Sequence, residues 1–217
     1  DLNLKNNVTV SATKGLNTFK GTFDGNNKTM TVNLTTKGTN GCAPFVTMID
    51  ATVKNLTVAG TITAPASSYY VGGIAGNCGA DCTIDGCTVT ATIKGVLSSG
   101  NDYGVGGIAG KCFSTIKNCT FSGTVQGYKN VGVGGIVGCC NNGTVQNNTV
   151  TGTIKYEGDS DSPPFDTSWA DIAGYGAIIG RTDASTTANV SGNTGSEASL
   201  YRTPEAFFVA NTIGYTP

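Results

Sequence analysis

The chain has 217 residues, only 12% of them charged, and a formal net charge of −1. That balance offers no basic surface for nucleic acid or for anionic membranes. The chain has no histidine, so the commonest general base and the commonest transition-metal ligand are both missing. No apolar run reaches the ~18 residues that a membrane span needs.

The first 44 residues are predicted to cap one end of the fold. Residues 1–11 alternate apolar and polar side chains, which is typical of an edge or capping strand. Residues 19–34 then read as strand, tight turn and strand, because the Asp-Gly-Asn at 24–26 supplies turn chemistry. The second segment is therefore predicted to be a hairpin.

Two motifs recur along residues 45–195, which are predicted to be repeat coils. The first reads Val-Gly-Gly-Ile-Ala-Gly at 71–76 and 105–110, and it returns with changes at 133–138 and 175–180. The second reads Ile-Lys-Asn-Cys-Thr-Phe-Ser-Gly-Thr-Val at 116–125. Its other copies start at Val53, Ile84, Val145 and, weakly, Val190. A period of about thirty residues made of strand-like units indicates a solenoid.

The repeat pattern is interrupted once and then fades. An insertion at 155–169 contains two prolines and several acids, which argues against a central strand and predicts a protruding loop. Residues 196–217 are predicted to be a C-terminal cap, with a short helix that begins at Thr203 and Pro204. The whole of 1–217 is thus predicted to be a single domain.

Most of the eight cysteines recur at equivalent positions of successive coils. Equivalent positions stack about 4.8 Å apart, within the Cα range of a disulfide, and oxidised pairs would indicate an extracellular or periplasmic protein. The alternative is a ladder of buried thiols. A metal site is not predicted, since no Cys-x2-Cys pair has a matching partner pair. The disulfide candidates are Cys78, Cys82, Cys87, Cys112, Cys119, Cys139 and Cys140.

The motifs carry a resemblance to a known family. Residues 19–34 resemble the opening F-x-G-T-F-D-G-N-x-x-x-I, with Met30 in place of the last Ile, and the Gly-Gly-Ile copies resemble the GLUG repeat. Both occur in bacterial surface proteins and in the N-terminal region of some IgA-cleaving metallopeptidases. The resemblance covers about residues 1–195 and implies an all-β, right-handed parallel β-helix of about five coils, secreted or anchored at the cell surface. It does not extend to the peptidase, because a chain without histidine has no His-Glu-x-x-His.

An outward array of threonines is the first candidate binding surface. In residues 88–93 the apolar Val89 and Ile93 are expected to point inward, so the alternate residues face solvent. Stacked coils would turn these positions into a grid of hydroxyls and methyls, as an ice-binding face requires; outward strand positions also favour threonine in general. The grid comprises Thr57, Ala59 and Thr61; Thr88, Thr90 and Thr92; Thr120, Ser122 and Thr124; and Thr149, Thr151 and Thr153.

The inserted loop is the second candidate surface. It holds the single tryptophan, Trp169, close to Asp159, Asp161 and Asp166. Two carboxylates beside an aromatic ring can hold or cleave sugars, although such loops are commonly only solvated. A calcium site at 159–161 is disfavoured, because the full spacing of a calcium loop is absent.

The leading prediction is a non-enzymatic module without a cofactor, a stalk or adhesin-like binding face in a secreted or surface protein. Its partner would be an extracellular protein or glycan. One alternative is an ice-binding protein that uses the threonine array. The other is a β-helix that binds or cleaves carbohydrate.

Overall fold

The computed structural model describes residues 1–12, 15–35, 41–64, 68–95, 104–128, 132–157, 174–182, 188–195 and 200–201. The regular structure in these ranges is β-strand. Among the described residues, no helix has the length and apolar character needed to cross a lipid bilayer. The C-terminal cap predicted for 196–217 lies almost entirely outside the described residues.

The two longest strands lie in the first third of the chain, and the strands that follow them are short. The first four are β1 (Leu2–Asn3), β2 (Val8–Ala12), β3 (Phe19–Thr35) and β4 (Phe45–Ala64). Three coils of five short strands follow. They are β5 (Tyr70–Gly72), β6 (Ala75–Cys78), β7 (Thr83–Asp85), β8 (Thr88–Val89) and β9 (Thr92–Gly95); β10 (Gly104–Gly106), β11 (Ala109–Cys112), β12 (Thr115–Lys117), β13 (Thr120–Phe121) and β14 (Thr124–Tyr128); β15 (Gly132–Gly134), β16 (Val137–Cys140), β17 (Thr144–Gln146), β18 (Thr149–Val150) and β19 (Thr153–Glu157). The last strands are β20 (Gly174–Gly176), β21 (Ile179–Arg181), β22 (Asn189–Ser191) and β23 (Leu200–Tyr201).

Equivalent strands of successive coils pair in parallel and in register. A small sheet takes one strand from each of four coils, in the order β20-β15-β10-β5, and a bridge from Cys42 to Val71 extends this ladder by one coil. The other strands form one large wrapped sheet. The predicted all-β, right-handed parallel β-helix is confirmed, with about four turns in place of the predicted five.

Left-handed backbone positions make the corners of the coils. Strand β4 is 20 residues long, yet it bends around the core because Asp50, Asn55 and Gly60 have φ of 50°, 51° and 99°. Asn26 and Asn27 bend β3 in the same way, with φ of 48° and 56°. Asparagine and glycine tolerate this conformation better than other residues do.

The predicted hairpin over residues 19–34 is wrong. Both halves of β3 pair in parallel with β4, from Phe19 to Asp24 and again from Lys28 to Thr35. The Asp-Gly-Asn sequence therefore turns a coil corner instead of reversing the chain. The difference arises because each half finds its partner in the next coil and not in the other half.

The core is a stack of identical apolar positions. One column runs through Val58, Val89, Phe121 and Val150, which are at most 3% exposed. The second glycine of each Gly-Gly-Ile copy faces this column: a Cβ at Gly107 would overlap the Phe121 ring, and the same holds for Gly73 against Val89 and Gly135 against Val150. The two sequence motifs are thus the two sides of one packed coil.

Candidate functional site

The predicted threonine array is continuous across the coils. Its first column runs through Thr29, Thr57, Thr88, Thr120 and Thr149, each paired with the next in parallel register. A bridge from Thr149 to Thr194 continues it. The side chains are half-buried from Thr29 to Thr149, because neighbouring threonines cover one another.

Two further columns complete this surface, which we call the threonine face. The middle column consists of Ala59, Thr90, Ser122 and Thr151, and all but Ala59 are exposed. The outer column consists of Thr61, Thr92, Thr124 and Thr153, again in register. Because the ladder is parallel and in register, like side chains repeat about every 4.8 Å along the helix axis. The result is an uncharged, regular surface of hydroxyls and methyls.

A second threonine column lies across the corner and was not part of the sequence prediction. It comprises Thr22, Thr52, Thr83, Thr115 and Thr144, all half-buried and in register. The signal was present in the sequence, because a threonine immediately precedes each copy of the second motif that starts at 53, 84, 116 and 145. This column gives matched positions outside the threonine face for control substitutions.

Charges alternate along the corner between the two threonine surfaces. Asp24, Lys54, Asp85, Lys117 and Gln146 are successive register partners. Lys54 Nζ lies 3.3 Å from Asp24 Oδ2, and Lys117 Nζ lies 3.4 Å from Asp85 Oδ2. The backbone N–H of Asn26 is the main cause of the lowered pKa of Asp24, with help from Asn55 and Lys54. These half-buried pairs add little stability by themselves. Opposite charges on adjacent strands favour the register that places them side by side.

In one core column, asparagine side chains replace cysteines near the C-terminal end of the helix. The column begins with Cys87 and Cys119, and Asn148 and Asn193 continue it. The Asn148 Oδ1 accepts the N–H of Cys119 at 2.8 Å, and the Asn148 Nδ2 donates to the carbonyl of Ile116 at 3.1 Å. Each amide thereby satisfies backbone groups of the neighbouring coil, as buried polar groups must be satisfied.

A family model described as "The GLUG motif" matches residues 67–94 and 101–126. The chain carries GLUG motifs. Each match covers one coil, since the first spans β5 to β9 and the second spans β10 to β14. The GLUG motif here is therefore one turn of the helix, with the Gly-Gly-Ile segment on one side of the core and the second motif, which starts at Ile84 and Ile116, on the other.

The β-helix also resembles a solved structure. The crystal structure of a putative immunoglobulin A1 protease from Bacteroides ovatus matches with a TM-score of 0.66 and 19% sequence identity. The match covers 98% of this chain and 63% of that chain, so the fold is shared while the relative is the longer protein. The search of curated proteins gives no match.

The predicted disulfide among the seven candidate cysteines is wrong. All eight cysteines are free thiols and buried, including Cys78, Cys82, Cys87, Cys112, Cys119, Cys139 and Cys140. Side chains of in-register parallel strands point the same way, so their Cβ atoms are as far apart as the strands, about 4.8 Å. A disulfide needs a Cβ separation of about 3.5–4.5 Å. The alternative of a buried thiol ladder describes the core correctly.

Six of the eight thiols form two hydrogen-bonded groups within the core. Cys78, Cys112 and Cys140 are register partners, and Cys82 joins them through Cys78. The hydrogen bond with Cys112 and burial both raise the pKa of Cys140, and the bond with Cys87 and burial raise that of Cys119. With their pKa raised, the Cys119 and Cys140 thiols stay protonated and unreactive at neutral pH, whereas the hydrogen bond with Cys78 lowers the pKa of Cys82.

The remaining candidates lie outside the described residues or form no recognisable centre. Asp159, Asp161, Asp166 and Trp169 fall in 158–173, which the structure does not describe. Within the described ranges, no three Cys, Asp or Glu side chains are arranged to hold a metal ion. The threonine face is therefore the candidate surface whose geometry can be followed from residue to residue.

Proposed function

We propose that this chain is a non-enzymatic β-helical module of a secreted or cell-surface bacterial protein, and that its threonine face binds an extracellular protein or glycan. The observation that carries the proposal is the unbroken register of three outward columns over four coils. A rigid scaffold that presents an uncharged, hydroxyl-rich plane is suited to adhesion. The likeness of the fold to a putative immunoglobulin A1 protease, of which this chain covers 63%, supports a place in a larger protein.

The chemistry of the face supports binding in preference to catalysis. Thr90, Ser122 and Thr151 are exposed, and no carboxylate lies in the three columns of the face. Hydroxyls in this setting donate and accept hydrogen bonds, while the methyls exclude water. Such a surface can contact a flat, uncharged ligand. The small net charge of the chain, −1, agrees with a ligand of this kind.

The test is binding to two immobilised probes, immunoglobulin A1 and a purified mucin, measured by biolayer interferometry. We expect the wild-type chain to bind at least one probe. Thr90→Tyr and Thr151→Tyr should weaken that binding about tenfold or more, because one protruding ring separates the rest of the face from a flat partner. Both positions are exposed, so neither substitution should lower the melting temperature much.

Thr115→Tyr is the matched control, since it makes the same change in the column across the corner. It should leave binding unchanged. Equal binding by the wild type, Thr90→Tyr and Thr151→Tyr would exclude the threonine face as the contact surface. Failure of the folded wild type to bind either probe would contradict an adhesive role towards these partners.

A second candidate function is ice binding, and the repeat of threonines about every 4.8 Å favours it. Hydroxyls and methyls at regular strand and coil spacings can hold ordered water in a lattice. Thermal hysteresis of the native protein measures this directly. Hysteresis that disappears in Thr90→Tyr and persists in Thr115→Tyr would replace the adhesive proposal, whereas no hysteresis from the folded protein would exclude ice binding.

A further inference from the structure

A fourth outward column lies beside the outer column of the threonine face. Its residues stand two positions after those of the outer column, so they point to the same side of the sheet. They are successive register partners, in the order Thr63, Lys94, Gln126 and Lys155. The two lysines have their Cα atoms about 9.6 Å apart, twice the strand spacing. The neutral face therefore has one edge that carries positive charge.

The Lys94 ammonium is the unpaired charge of this edge. Lys94 is exposed, and it makes no ion pair or hydrogen bond with the described residues. The described lysines that pair with an aspartate are Lys20, Lys54 and Lys117. Lys155 is half-buried, and Glu157 follows it by two residues on β19. Lys94 is therefore the more isolated of the two lysines in the fourth column.

Negative charge is missing from the strands that carry these four columns. The segments 57–64, 88–95, 120–127 and 149–155 contain no aspartate and no glutamate. At the other edge of the face, the aspartates of the charged corner are already paired, Asp24 with Lys54 and Asp85 with Lys117. A ligand on the face would therefore meet hydroxyls and methyls over three columns and ammonium groups along the fourth.

The size of this surface favours a glycan over a folded protein. Seven residues of extended strand span about 20 Å, and the four coils span about 14 Å along the helix axis, so the four columns cover about 300 Å². A standard protein interface covers about 800 Å² on each partner. A polysaccharide needs less area, because it binds through a few sugar rings, and it repeats its chemistry along its length as the coils do.

We propose that the ligand of the threonine face is an acidic polysaccharide, with its anionic groups along the fourth column and Lys94 as their main anchor. The inference rests on the adhesive function proposed above and names its ligand class. Sugar hydroxyls exchange hydrogen bonds with the threonine hydroxyls and with the Gln126 amide. A carboxylate or sulfate accepts a charge-assisted hydrogen bond from a lysine ammonium. The part of the ligand over the three threonine columns is uncharged, and its acidic groups lie beyond them.

The probes are hyaluronan, which carries carboxylates, dextran sulfate, which carries sulfates, and neutral dextran, each immobilised for biolayer interferometry with the whole chain. We expect binding to at least one anionic probe and none to dextran, and the two anionic probes show which acidic group is preferred. Binding should weaken as NaCl is added, because salt screens exposed charges. Lys94→Gln should weaken it about tenfold, the effect of one lost hydrogen bond to a charged group. Lys94→Arg, which keeps the charge, should bind like the wild type.

Lys5→Gln is the matched control, because Lys5 is also exposed and makes no ion pair with the described residues, but it precedes β2 at the N-terminal end of the helix. It should leave binding unchanged. Equal binding to dextran, no binding to either anionic probe, or unchanged binding in folded Lys94→Gln would each overturn the acidic ligand. Binding to immunoglobulin A1 or mucin that is lost in Thr90→Tyr but kept in Lys94→Gln would retain the adhesive function while it overturns this inference.

Discussion

At the scale of single residues, the corners determine where each coil bends. The same corner is occupied by Asn55, Gly86, Asn118, Asn147 and Gly192, with φ between 51° and 65°. The side chain of Asn118 also donates to Asp85 Oδ1 at 2.7 Å, and that of Asn55 donates to Asp24 Oδ1 at 3.2 Å. The asparagines thus supply both the unusual backbone conformation and a link to the preceding coil.

Replacing one corner asparagine should separate these two contributions. Asn118→Ala loses the bond to Asp85 and forces an alanine into left-handed backbone, so we expect it to lower the free energy of unfolding by about 1–2 kcal/mol. Asn118→Gly loses only the bond, because glycine accepts this backbone readily. Urea denaturation should therefore rank the wild type first, the glycine variant next and the alanine variant last. An alanine variant as stable as the glycine variant would show that the backbone conformation carries no cost.

Much of the structure at the scale of single residues could be predicted from the sequence. Alternation of apolar and polar residues placed Val89 and Ile93 inside and the threonines outside, and the structure confirms it. The disulfide prediction failed because sequence spacing gives the column in which a cysteine lies, and hence the Cα distance, but not the direction of its Cβ.

At the scale of elements, the thiol columns fill the core between strands. Cys78, Cys112 and Cys140 stack through β6, β11 and β16, and each is fully buried.

Whether a short segment pairs with itself or with the next coil is also decided at the scale of elements. The Asp-Gly-Asn turn in β3 suits a hairpin and a coil corner equally well, and only the long-range partner β4 distinguishes them. Local sequence could not supply that information.

The buried thiols should make the fold sensitive to alkaline conditions. The folded pKa of Cys119 and Cys140 is raised above the ordinary value of about 9, because each thiol bonds another thiol and is buried. The bond with Cys140 lowers the pKa of Cys112, but the bond with Cys78 and burial together raise it well above that value. The unfolded chain therefore loses these protons first as the pH rises. Stability from the neutral thiols is complete below about pH 8 and decreases above pH 9, by about 1.4 kcal/mol per pH unit for each thiol.

Urea denaturation at a series of pH values between 7 and 10.5 measures this slope. The double variant Cys112→Ala, Cys140→Ala will be less stable at neutral pH, since it leaves cavities. Its stability should nevertheless decrease less steeply above pH 9, because two of the titrating groups are gone. Parallel slopes for the variant and the wild type would mean that other groups, such as lysines and tyrosines, cause the alkaline loss.

At the scale of the whole molecule, the fold is a repeat of one coil, and the period in the sequence predicted it. Each coil contacts mainly its neighbours, so stability is close to a sum over coils and their interfaces. The register is specified twice, by the apolar columns inside and by the alternating charges outside. Removing one complete coil tests both. Each apolar position then meets another apolar position of the next coil, whereas the charged column brings two charges of the same sign together.

Deletion of residues 84–115 joins Thr83 to Ile116, and Thr83 and Thr115 are register partners, so the junction stays in phase. The Val58 and Ile62 positions would then meet Phe121 and Val125 in place of Val89 and Ile93, which keeps the columns apolar. We expect the shortened chain to fold, with the β-sheet circular dichroism signal retained and a lower melting temperature. A deletion of half this length, such as 84–99, should not fold, because it breaks the ladder.

The same deletion places Lys54 beside Lys117, where Asp85 previously stood between them. Like charges on adjacent strands are unfavourable by about 0.2–1 kcal/mol, so adding Lys117→Asp to the shortened chain should raise its free energy of unfolding by roughly that amount. In the full-length chain the same substitution puts a second carboxylate beside Asp85 and should lower the free energy of unfolding. This reversal of sign is the measurement that matters, since a purely local effect of Lys117→Asp would have the same sign in both chains. A common sign would show that the alternating charges do not contribute to the register, and that the apolar columns determine it alone.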